Sequence, residues 1–292
     1  MTLGGYLIVR SLLLGTSYLS VAALLVGNAA AQPTDGQVVL GTASITDKGP
    51  NSTVIDQKTG KAIINWDSFS IGAGGTVKFN QPNASSITLN RVLGGEGTSI
   101  YGNLLANGQV WIINRNGILF GKGATINLGG LIATTADMSD TNFASGNYSF
   151  SGGTGASVVN QGTIRTRNRG GVVLSGASVQ NQGLLQADTG TVVLGGASAF
   201  TVDFTGDGLL KYTITQPTGK ADNGQTGVSN SGTIQATGGH VVMTARAAAS
   251  VQDAVVNNTG MISATSASAH QGEVVLDGGD GGVAIGDHRH RW

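Results

Sequence analysis

The 292-residue chain carries 16 basic and 16 acidic side chains, so its formal charge is zero, and with no basic cluster it lacks the footprint of a nucleic-acid partner. It has no cysteine, which excludes disulfides and thiolate metal sites. Its 48 glycines, 11% charged residues and 5% aromatics argue against a bulky globular core, while short alternating Val/Ile/Leu runs argue against disorder and the irregular glycine spacing against collagen.

The first element in chain order is a targeting segment. A short n-region ends at Arg10, residues 11–27 form an apolar run interrupted by Gly, Ser and Thr, and Ala29 and Ala31 supply the small residues of a cleavage site. Residues 1–31 are therefore expected to be a signal peptide, cut before Gln32. The run is near the lower limit for a membrane span and no basic stop-transfer cluster follows it. The mature chain has no second apolar run long enough to cross a bilayer. Residues 36–60 then read as short strand-like runs able to cover an exposed sheet edge.

The body is a succession of short strands with an internal repeat. Four segments, 160–174, 181–194, 230–243 and 258–276, each begin Asn-x-Gly, continue with a β-rich pair and a small or polar step, and end in an apolar strand after Gly. Asn and Gly tolerate positive φ, so this pairing predicts sharp corners between strands too short to stand alone. Coils of roughly 20 residues, stacked at about 4.8 Å, bury the inward Val, Ile and Leu of each against the next. The fold class expected is all-β: a right-handed, single-stranded parallel β-helix with an N-terminal cap and extra-helical β-hairpin excursions. Some 260 mature residues allow about twelve coils and a rod of roughly 55–60 Å, less any insertions. Residues 200–214 read as one such hairpin around "TGDG", followed by a loop.

The front half carries specific motifs: "AIINWDSFSIGAGGTVKFNQP" at 62–82, "SSITLNRVLGG" at 85–95 and "IYGNLLANGQVWIINRNGILFGKGATINLGGLIATTADMSD" at 100–140. Here the chain resembles the N-terminal secretion (haemagglutination activity) domain of filamentous haemagglutinin-like exoproteins, the two-partner secretion family. The resemblance covers nearly all of residues 32–286 and leaves 287–292 as a short polar tail. It implies a partner, a cognate outer-membrane β-barrel transporter with periplasmic docking domains. It also implies export through the periplasm and outer membrane to the medium or cell surface. The domain is then expected to head an adhesin-like β-helix. The alternatives are a haemolysin, a contact-dependent toxin or a haem/haemopexin-binding exoprotein. Such exoproteins run far beyond this length, so the effector and any host-cell or neighbouring-cell target are expected in a missing downstream region.

The family's tetrapeptide Asn-Pro-Asn-Gly stands here as Asn114, Arg115, Asn116 and Gly117, with the proline lost. These four residues are the candidate transporter-recognition or turn motif. Asn90 is grouped with them as a candidate and is expected to cap a corner through its side-chain amide. Trp66, Phe69 and Trp111, large apolar groups in an aromatic-poor chain, are expected to seal the cap or core. Arg165, Arg167 and Arg169 alternate and are read as one solvated face. No catalytic, cofactor or metal residues are assigned. His288 and His290 lack a third convergent ligand, and Asp203 and Asp207 bracket a turn and not a groove. A polysaccharide-degrading β-helix enzyme is therefore the remote alternative.

Overall fold

A computed structural model of the chain describes residues 31–167, 169–204, 210–225, 227–247, 256–264, 272–279 and 282–286. The signal-peptide residues 1–30 and the tail 287–292, with His288, His290 and Trp292, lie outside them, as do Asp207 and His270.

Most of the described strands form three long sheets, which the chain visits in rotation once past the cap strands. The first sheet holds Gln37–Leu40, Lys61–Trp66, Ile87–Val92, Gln109–Asn114, Gly130–Thr134, Val172–Gly176, Thr191–Gly196, His240–Ala245 and Glu273–Asp277. The second runs from Ala43–Asp47 and Ser52–Gln57 to Met261–Ser263, and the third from Thr98–Ile100 to Val283–Ile285. Each turn passes from the second sheet to the first and then the third, and its strands pair in parallel with those of the next turn. This is a parallel β-helix. The uninterrupted turns match the expected period: Asn103 to Thr125 and Thr163 to Leu184, the starts of successive second-sheet strands, are 22 and 21 residues apart.

Eight parallel turns are described, not twelve, a stack of roughly 35 Å at the ordinary strand spacing. The difference goes into the cap and two long excursions, 135–156 and 197–226, which leave the stack between the first and third sheets. The cap closes the N-terminal edge with antiparallel pairing. Gln37–Leu40 lies against Lys61–Trp66, Ala43–Asp47 against Ser52–Gln57, and Thr34 bridges Ser68. The first-turn backbone groups thus find partners instead of forming a bare edge.

The first sheet is apolar on both faces, which explains its unbroken apolar runs. Its inner residues, among them Ile64, Ile112, Leu174 and Leu194, fill the helix interior. Its outer residues form a second apolar column, Ile63, Leu89, Trp111, Ile132, Val173 and Val193, in register from strand to strand. The excursions cover that column. The hairpin expected at 200–214 is present as Ala199–Phe204 against Leu210–Gln216, and Ser149–Phe150 of the first excursion adds a third antiparallel strand. Phe150 stacks on Phe200 at 4.6 Å and Phe200 on Tyr212 at 4.9 Å. Burial pushes the Tyr212 phenol well above its ordinary pKa, against the effect of its 2.9 Å hydrogen bond with Ser175.

The first excursion also contains a single-turn α-helix, Asp140–Ser145, the one helix among the described residues. The Ser139 side chain accepts from Asn142 N–H, and Gly146 ends the helix at φ 81°. Two cations from the first sheet hold it. Lys61 Nζ donates to the Phe143 and Ala144 carbonyls at 2.9 and 3.1 Å, the favourable charge for a helix C-terminus. Arg91 Nε meets Asp137 at 2.9 Å, its Nη1 meets Asp140 at 2.8 Å, and its Nη2 donates to the Met138 carbonyl at 2.7 Å. Burial works against the Arg91 charge, yet Asp137 and Asp140 outweigh it and raise the pKa above the ordinary value.

Breaking a buried ion pair from one side costs ~3–5 kcal/mol. Here the carboxylates are partly exposed, at 34% and 49%, and can rehydrate. Arg91→Met is thus expected to cost about 2 kcal/mol and to loosen 135–156 over Trp111. A urea melt gives the first, and the red shift of Trp111 emission before global unfolding gives the second. An unchanged midpoint would remove the clamp from the account.

Candidate functional site: the Asn114–Gly117 corner

The corner grows from the strand Gln109–Asn114. Its last residue, Asn114, points inward and is fully buried. Asn114 Nδ2 donates to the Glu96 carbonyl and to Thr98 Oγ1, both at 3.0 Å, and its Oδ1 accepts from Asn116 N–H at 2.8 Å. The Gly117 N–H donates to the Asn114 carbonyl at 3.1 Å, which closes a four-residue turn. Gly117 has φ 101°, and a Cβ there would stand 3.1 Å from the Ser157 carbonyl oxygen.

The turn is tied to the turns on both sides of it. Asn116 Nδ2 donates to the Gly94 carbonyl of the preceding turn at 3.0 Å, and Gly94 N–H donates to the Asp67 carbonyl one turn earlier. Thr154 Oγ1 of the first excursion donates to the Arg115 carbonyl at 2.7 Å. Arg115 and Asn116 are exposed, and so is Leu93 at 64%. The corner thus offers a guanidinium, an amide and an apolar side chain on a backbone fixed from below and above.

The other singled-out residues lie elsewhere. Asn90 is in mid-strand, not at a corner: it is fully buried inside the helix, its Oδ1 accepts from Trp66 Nε1 at 3.0 Å, and its Nδ2 donates to the Trp111 carbonyl at 3.2 Å. A buried indole N–H needs such a partner. Trp66 and Phe69 meet edge to face at 5.4 Å in the interior under the cap. Trp111 belongs to a different place. It lies on the outer face of the first sheet, within 4.7–6.2 Å of the Phe143, Tyr148, Phe150 and Phe204 rings. Strand alternation decides this, since Trp66 and Trp111 stand at positions of opposite parity.

The arginine alternation breaks. The strand Thr163–Thr166 ends before Arg167, and Arg169 has φ 65°. His240, which has no acidic neighbour in sequence, meets Glu273 at 3.1 Å through the register of adjacent strands. The partners Gly94, Glu96, Thr98 and Thr154 were not foreseen, although the glycine-rich "LGGEGT" one coil upstream of the tetrapeptide was a usable signal.

A family model described as the TPS secretion domain matches residues 29–287. The chain belongs to that family. The solved secretion domain of HMW1 from Haemophilus influenzae is similar with a TM-score of 0.75 at 33% identity, over 87% of this chain and 65% of that one. A heme/hemopexin-binding protein of Haemophilus influenzae is 34% identical over 257 residues, 85% of this chain. A second protein of that name is 42% identical over 118 residues, 40% of this chain. The chain spans only 27% and 13% of the length of those two relatives. As a TPS secretion domain it is an export domain and not an enzyme. It is part of a secreted or surface exoprotein that passes through the periplasm and the outer membrane.

Proposed function

We propose that this domain directs export by presenting the Asn114–Gly117 corner to a cognate outer-membrane β-barrel transporter with periplasmic docking domains. The observation that carries the reading is the combination at that corner: the Asn116 N–H, the Arg115 carbonyl and the Gly94 carbonyl beside them are each held by a side-chain hydrogen bond, while Arg115 and Asn116 stand exposed. A partner reading a fixed tip loses little entropy on binding. Segments not yet stacked offer unpaired strand edges to the docking domains by β-augmentation. The mature domain is taken to begin at Gln32 and to run to residue 286, and N-terminal sequencing of the exported chain checks the first boundary.

Export is expected only with the barrel co-expressed; release from cells without it would end this reading. Within the corner, Arg115→Pro is expected to leave export intact and change stability by less than about 1 kcal/mol, since the tetrapeptide this corner resembles carries proline at that place. Gly117→Val is expected to cost at least about 1–2 kcal/mol for its φ alone, with the Ser157 carbonyl in the way. Asn116→Ala loses the bond to Gly94. Secretion assays beside denaturant melts separate two roles. If Asn116→Ala folds normally and stays periplasmic, the corner is read directly. If Gly117→Val neither unfolds nor blocks export, the turn is not what matters.

The exoprotein headed by this domain is, in our reading, of the heme/hemopexin-binding kind and not an adhesin. Two relatives with that name, at 34% and 42% identity, favour it. Spectral titration of the exoprotein with heme, and its retention on immobilised hemopexin, test this independently of export.

A further inference from the structure

The outer face of the second sheet carries a feature separate from the Asn114–Gly117 corner. Lys78, Leu105, Asn127 and Arg165 stand in register on four successive strands, Thr76–Asn80, Asn103–Ala106, Thr125–Leu128 and Thr163–Thr166. At one side of this row an open cleft of about 570 Å³ is lined by Lys78, Asn80, Leu105, Asn107, Asn127 and Arg167. Among the described residues, Lys78 and Arg167 make no side-chain hydrogen bond and no ion pair. Asn127 likewise makes none, and its Oδ1 is buried without a partner. The nearby carboxylates are engaged: Asp56 accepts from Asn80 Nδ2 at 2.8 Å, and Asp188 from Gln186 Nε2 at 3.0 Å. Arg165 Nε donates to Gln186 Oε1.

These groups specify a ligand chemistry. Two cations without partners call for an acid group, because charge-assisted hydrogen bonds are the strong ones. The unbonded Nδ2 end of the Asn127 amide calls for an acceptor, which a sugar hydroxyl supplies. Leu105 alone supplies apolar surface in the row, which is too little for a lipid chain or an aromatic ring. The strands here are paired on both sides, so a peptide has no free edge to extend. Two cations are too few for a nucleic-acid track. We propose that this cleft binds an acidic oligosaccharide, with Lys78 on one carboxylate, Arg167 on the next and Asn127 Nδ2 on a hydroxyl between them.

The test is isothermal titration of the exported chain with a hyaluronate tetrasaccharide, with neutral chitotetraose and phosphatidylglycerol vesicles as comparison probes. Hyaluronate is expected to bind, more weakly as salt rises, and chitotetraose to bind at least about tenfold more weakly. Lys78→Met and Arg167→Met should each weaken hyaluronate by about tenfold, and Asn127→Leu by several-fold. Lys122→Met, an exposed lysine outside the cleft, should change nothing. Neither the Lys78 nor the Arg167 side chain makes a polar contact on which the fold depends, so both variants should keep the wild-type circular dichroism. The proposal is overturned if hyaluronate does not bind, if the Lys78→Met/Arg167→Met double variant binds it as wild type does, or if the vesicles alone compete for these residues.

Discussion

Gly183→Val is expected to cost at least about 3 kcal/mol, more than any exposed substitution in the chain. The reason is the approach of one turn to the next. A Cβ at Gly183 would stand 2.1 Å from the Gly162 carbonyl oxygen, and that oxygen already accepts from Leu184 N–H at 2.9 Å. The turns cannot separate without breaking the ladder on either side. The same contact recurs up the column, at 2.2 Å for both Gly232 over Gly183 and Gly260 over Gly232. Gly60 is the control. Nothing lies within 4 Å of a Cβ there, and its φ is outside the left-handed region. Gly60→Ala should be neutral or stabilising by about 0.4–1 kcal/mol, through loss of unfolded-state freedom. Urea midpoints of the two variants decide the matter. If Gly183→Val melts with wild type, the turns are not packed as closely as this.

The repeat was legible in the sequence, but its physical meaning was only half so. Asn-x-Gly suggested corners at positive φ. Yet Gly162, Gly183, Gly232 and Gly260 are all outside that region. They are glycine because stacked backbone lies where a side chain would be, and Asn160, Asn181, Asn230 and Asn258 are there to bond to one another. Both requirements arise between turns, tens of residues apart, so no local turn rule could show them. The hairpin at 199–216 was visible because its strands alternate around a turn signal. The first excursion was not: "TNFASGNYSF" is too short to show a helical period, and its Phe143 and Phe150 find their place only against Trp111.

The corner shows the same division. Asn114, Asn116 and Gly117 were identifiable by resemblance, and Gly117 carries the positive φ a tight turn asks for. What holds the corner rigid was not identifiable, since Gly94 lies 22 residues from Asn116 and Thr154 enters from an excursion of unforeseen path. Once the turn length is known, such pairs can be read from the sequence by counting one coil back. His240 and Glu273 show the limit of that method. They are 33 residues apart, because a longer connection lies between their strands.

Asn181→Leu is expected to cost about 3 kcal/mol, far more than its size change suggests. Asn160 Nδ2 donates to Asn181 Oδ1 at 2.8 Å, Asn181 Nδ2 to Asn230 Oδ1 at 2.7 Å, and Asn230 Nδ2 to Asn258 Oδ1 at 2.8 Å. All four residues are buried. Leucine at 181 leaves a donor on one side and an acceptor on the other without their partners, each costing about 1–3 kcal/mol. Asn258→Leu, at the end of the ladder, strands one amide, the Asn230 donor, besides the half-buried Gly260 carbonyl, and should cost about half as much. Replacing all four asparagines by leucine removes every stranded amide of the ladder together, and leaves only backbone groups such as the Gly162 N–H, which donates to Asn160 Oδ1. The column accepts apolar side chains, because Phe120 precedes Asn160 in register and Ile285 follows Asn258. The fourfold variant should therefore be destabilised by less than the sum of the four single changes, the mark of a coupled network. Denaturant melts of the singles and the quadruple give that sum and its shortfall. Strict additivity would mean that each asparagine acts alone, and the ladder would then be a geometric coincidence of the stack.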